Sequence, residues 1–123
     1  MIDPIARLRA ELASQVPRHF RVTAKSTQYY MDEDTAAFCA IDVQPGASHG
    51  FGIVVVPCRD ERRDALMIRV WHGFADEVWL VDPVERTILV TRHDGEPSLV
   101  RAGETLGSGS VPGLAIDVAA LFA

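Results

Sequence analysis

Four kinds of residue in this chain could do chemistry. The histidines His19, His49, His72 and His93 lie in different predicted elements with no HxxxH-type spacing, so they read as surface or loop residues and not as metal ligands. The run Gly107-Ser108-Gly109-Ser110 is not a Gly-x-Ser-x-Gly nucleophile elbow, and it does not sit between a strand and a helix as a phosphate loop or dinucleotide fingerprint would. Arg59, Arg62, Arg63 and Arg69 could touch phosphates, but Asp60, Glu61 and Asp64 interleave with them. That pattern reads as a solvated helix face with local ion pairs. Cys39 and Cys58 lie in or beside apolar runs and read as buried free thiols, with a disulfide or metal ligands as the alternatives.

The elements that would position these residues follow from periodicity. Asp3-Pro4 followed by Ile5, Leu8, Leu12 and Val16 gives an N-cap, a first-turn proline and an apolar stripe, hence an amphipathic helix ending before Pro17. His19 to Lys25 alternates as a half-exposed strand, which Thr27 to Met31 continues or pairs with. After the acidic turn Asp32-Glu33-Asp34, Thr35 to Val43 predicts one strand with Asp34 at its entrance and Asp42 at its exit. Phe51 to Val56 is a continuous apolar run and Glu77 to Pro83 a near-continuous one that stops at Asp82-Pro83, as strands covered on both faces require. Between them, Asp60 as N-cap, an apolar face of Leu66, Met67, Val70 and Trp71, and Gly73 as the C′ residue predict a second helix. Arg86 to Arg92 predicts a hairpin partner for the Glu77 strand, and a short strand follows around Ser98 to Arg101. Gly103 to Gly113 has the composition of a linker, yet Leu114, Ile116, Val118, Leu121 and Phe122 after it need a core to cover. The fold class is α+β, a mixed sheet flanked by two main helices in a single domain over 1–123.

A net charge of −5 opposes nucleic-acid binding by overall charge and leaves only a local basic patch for it. Eleven of the twelve basic residues are arginine, so any step requiring a lysine must use Lys25. No apolar run approaches the roughly 20 residues of a membrane-spanning helix, and the start lacks a signal-peptide core. The expected location is the cytoplasm.

The stretch Phe74-Ala75-Asp76-Glu77-Val78-Trp79-Leu80-Val81-Asp82-Pro83 resembles the "GVxEYWLVDP" segment of the Uma-two family, a branch of the PD-(D/E)XK restriction-endonuclease-like superfamily. The similarity continues through Glu85 to Val90, the Gly103-Glu104-Thr105-Leu106 turn, and the ending Val111-Pro112-Gly113-Leu114-Ala115-Ile116-Asp117-Val118-Ala119-Ala120-Leu121-Phe122, close to "LPGLxLDVAxLF". The resemblance implies a restriction-endonuclease-like fold, a homodimer and DNA as a partner.

It also implies a divalent metal, usually magnesium, held between an Asp on one strand and an acid on the next, with a lysine nearby to stabilise charge on the phosphate. Matched to the family's "PDVAVV", Glu33-Asp34-Thr35-Ala36-Ala37-Phe38 puts Asp34 at the first acid and makes it the candidate metal ligand. Against "PDLVVEVLSPST" stands Phe51-Gly52-Ile53-Val54-Val55-Val56-Pro57-Cys58, with valine in the acid's place and no carboxylate from Val43 to Arg59. The helix lysine is absent near Leu66. Substitutes are Glu11 from the first helix and Lys25 from a neighbouring strand. Asp42 lies eight residues from Asp34, roughly 25 Å along a straight strand, too far to share an ion unless the chain bends.

These residues favour a catalytically inactive nuclease-like binding or assembly module. The alternatives are an active, atypical magnesium-dependent DNA endonuclease that uses Asp34, and a non-enzymatic regulatory or accessory partner protein.

Overall fold

Helix α1 (Pro4–Gln15) begins as its cap predicts, with the Asp3 carboxylate accepting the Ile5 N–H at 3.0 Å. The structure is a computed structural model that describes residues 3–23, 27–30, 36–46, 50–93 and 95–123, with residues 27–30 and 36 described by backbone alone. Strands β1 (Phe20–Thr23), β2 (Thr27–Tyr30), β3 (Ala36–Cys39), β4 (Ile41–Pro45) and β5 (Phe51–Pro57) lead to α2 (Glu61–Trp71). Then come β6 (Ala75–Asp82), β7 (Thr87–Arg92), β8 (Ser98–Arg101), β9 (Thr105–Leu106), β10 (Ile116–Asp117) and the short α3 (Val118–Leu121). Among the described residues no helix is long and apolar enough to cross a membrane.

The main sheet has six strands in the order β1-β4-β5-β6-β7-β8. β5 and β6 pair in parallel and every other neighbour pairs antiparallel, so β5-α2-β6 is the one βαβ unit of the sheet. β6 is inner, and Val78 to Val81 are buried as their unalternating pattern predicts.

Two apolar layers sandwich this sheet. On one face Leu8 and Leu12 of α1 pack over Ile41, Val43, Ile53, Val55, Trp79 and Val81, and the C-terminal segment adds Leu106, Val111, Leu114, Ile116, Val118 and Leu121. The glycine-rich stretch is therefore a closing strap and not a linker. Gln15 fixes it by accepting from the Ala115 N–H at 2.8 Å and donating to the Ala115 carbonyl at 3.1 Å. On the other face Met67 and Trp71 of α2 cover Val54, Val56, Val78 and Leu80, with Ala37 and Cys39 of β3 alongside.

Three expectations change. The predicted strand Thr35 to Val43 is two strands in different sheets: β3 pairs with β2, and the chain bends at Ala40 before β4 joins the main sheet beside β1 and β5. The described part of that run is therefore not straight, and Asp34 lies outside the described residues. β2 does not pair with β1; it pairs with β3, shifted by one residue from the register in which β1 pairs with β4, and residues 24–26 between β1 and β2 lie outside the described residues. Gly73 follows the helix at C′ but is not among the positive-φ glycines; its N–H bonds Val70 O at 3.2 Å in a tighter final turn.

Candidate functional site

The pair β4-β5 supplies adjacent strands of the kind that could carry two acids. Asp42 faces Val54 across it, 1% exposed, on the α2 side of the sheet. Its Oδ1 accepts from Gln44 Nε2 at 3.0 Å. The opposing strand offers no oxygen: Val54 is fully buried and Val56 nearly so, both packed under Met67 and Trp71. A hard divalent cation takes oxygen ligands at about 2.0–2.6 Å, and an apolar wall provides none. Among the described residues no group of three or more His, Cys, Asp or Glu side chains could hold a metal ion. Burial, and secondarily the Asp42 charge, pushes the neighbouring Cys39 thiol up to about 12, so it stays protonated and inert at neutral pH. Cys58 is pushed up to about 11 by burial and then by Asp64 and Asp82.

Of the residues proposed from sequence, Asp34 and Lys25 lie outside the described residues. Glu11 is exposed on α1, which covers the opposite face of the sheet from Asp42. Its Oε2 accepts from Gln15 Nε2 at 2.9 Å, the side chain that anchors the C-terminal strap.

Beyond Val56 and Pro57, a cleft of about 310 Å³ opens between β3, the end of β5 and the first turn of α2. Arg59 and Arg63 line it with Phe38 and Cys39. The arginine helix face departs from its predicted ion pairing. Among the described residues these guanidinium groups form no salt bridge, because the interleaved acids bind backbone instead: Asp60 accepts the Arg63 N–H at 2.8 Å and Asp64 the Arg59 N–H at 3.0 Å.

A second polar cluster, at the start of β6, escaped sequence reasoning. Glu77 is 1% exposed, yet it receives Arg92 Nε at 3.3 Å, the Ser110 N–H at 3.4 Å and a close hydrogen bond from the Ser108 hydroxyl. The available signal was an acid heading an inner-strand run. On the reverse face of the same strand pair, His72 is half-buried, not an ordinary surface residue. Thr91 Oγ1 donates to Val78 O at 3.0 Å and so accepts from His72 Nε2 at 2.9 Å, which fixes the tautomer with the proton on Nε2. Burial, then repulsion from His93, lowers the His72 pKa.

The six-stranded mixed sheet, its single parallel pair and the helices on both faces define a nuclease-like α+β fold. Over 97% of its length the chain is similar to 78% of a crystallised chain described as a putative nuclease belonging to DUF820 from Anabaena variabilis, with TM-score 0.81 and 16% sequence identity. At that identity the likeness shows the fold. No protein-family model matches the sequence, and no curated protein does.

Proposed function

We propose that this chain is a nuclease-like scaffold without metal-dependent cleavage, used as a binding or assembly module. One observation carries the reading: beside buried Asp42, the neighbouring strand presents Val54 and Val56 instead of a carboxylate. Among the described residues a magnesium ion there would find Asp42 but no second carboxylate, too few oxygen ligands to offset the hydration it gives up. The resemblance adds a homodimer and DNA as partner to the same proposal, and composition adds a cytoplasmic location.

The test is incubation of supercoiled plasmid and short duplexes with magnesium or manganese against an EDTA control. No cleavage above the control is expected. Metal-dependent cleavage that disappears on Asp34→Ala or Asp42→Ala would overturn the reading in favour of an active, atypical endonuclease.

A further inference from the structure

The charges at the start of α2 separate across the helix. Arg59 and Arg63 line the cleft beside β3 and β5, whereas Glu61 and Asp64 line a different cavity, between α2 and the β6-β7 strands. No acid stands among the described residues lining the arginine cleft. The Arg63 guanidinium lies over the Phe38 ring, 4.9 Å from its centroid. Phe38 is itself held, its carbonyl accepting from Trp71 Nε1 at 3.0 Å. The stacked guanidinium has thus lost much of its side-chain freedom before any ligand arrives, while its N–H edge stays available. Val56, Pro57 and the protonated Cys39 form an uncharged floor, where a charge-assisted hydrogen bond is screened less than in open water. The positive end of the α2 dipole adds to the same side.

We infer that this cleft is a metal-free phosphate-binding pocket, in which Arg59 and Arg63 grip one phosphoryl group of a nucleotide or of a nucleic-acid backbone. Two planar forks suit the oxygens of a tetrahedral dianion or phosphodiester better than a single carboxylate, and neither needs a divalent cation. The inference deepens the binding-module reading by naming its ligand class. It fails separately, because that reading turns on cleavage and this one on binding in the absence of metal.

The experiment is fluorescence anisotropy of a labelled 16-nucleotide DNA, single-stranded and duplex, titrated with the protein in EDTA at low and moderate salt. Thymidine monophosphate and inorganic phosphate serve as competitors, with binding of each also measured directly. Expected are saturable binding of at least one probe in EDTA, a loss of roughly ten-fold or more in the Arg59→Ala/Arg63→Ala double variant, and little change in Arg9→Ala on the opposite face. Arg63→Lys keeps the charge but not the planar stack and falls between. If the mononucleotide binds and DNA does not, the pocket stands and its ligand is a nucleotide. If both bind, the backbone phosphate is also a ligand, and the salt slope of DNA binding drops by about one in the double variant. Circular dichroism of the variants matching the wild type excludes misfolding. Absence of saturable binding by every probe, or binding that the folded double variant retains in full, overturns the inference.

Discussion

Asp42 and Glu77 are both 1% exposed, and both sit on inner strands of one sheet, yet their surroundings differ in kind. Glu77 faces a cation, a hydroxyl and a backbone N–H, three donors drawn from β7 and from the strap 31 to 33 residues downstream. Across β4-β5, Asp42 faces valine, and Gln44 on its own strand is one of its partners. Buried carboxylates persist when donors repay the lost hydration, so Glu77 is a clamp that closes the chain on itself. On the strand facing Asp42 the side chains at that depth, Val54 and Val56, are buried and apolar.

The largest effect should come from placing a carboxylate on that apolar strand. Val54→Glu would bury a second carboxylate beside Asp42 under Met67 and Trp71, at a cost of about 3–5 kcal/mol in urea unfolding. If the variant were near wild-type stability without metal, the apolar wall would not be as closed as described. Next, Glu77→Ala should cost about 1–3 kcal/mol with an unchanged m-value, because it leaves the Ser108 hydroxyl without its acceptor, while the Ser110 N–H keeps Ser108 Oγ at 3.1 Å. The half-exposed Arg92 adds little through screened attraction. A loss below about 0.5 kcal/mol would remove the clamp from the account and erase the contrast with Asp42.

The smallest effect concerns the back of the clamp. The His72 pKa is lowered in the fold, so the unfolded chain takes up the proton first. The neutral ring's contribution is full above the usual histidine value near 6.5 and is lost as pH falls below it. The thermal midpoint of His72→Gln should accordingly fall less than that of the wild type between pH 7.5 and 5.5. Parallel pH profiles would mean that His72 titrates alike in both states.

Inner strands β5 and β6 were legible because unbroken β-branched and aromatic runs occur where both sheet faces are covered. Helix α2 was legible from Asp60, whose carboxylate caps the Arg63 N–H. The bend at Ala40 was hidden by unbroken alternation. Ala37, Cys39, Ile41 and Val43 all are buried, but the first two face α2 and the last two face α1, so the periodicity continues while the chain changes sides. The site was less legible than the fold, since its parts meet only through tertiary structure. Nothing local ties Glu77 to Ser108, and nothing in the alternation of Arg59, Asp60, Glu61, Arg63 and Asp64 announces that the acids would cap backbone and leave two arginines in one cleft.

The central claim, a nuclease-like scaffold without an assembled metal centre, is tested most directly by calorimetric titration of manganese into the purified protein at neutral pH. No saturable one-site heat is expected in the wild type, and an unchanged trace in Asp42→Ala and Asp34→Ala. A stoichiometric binding isotherm that either substitution abolishes would contradict it.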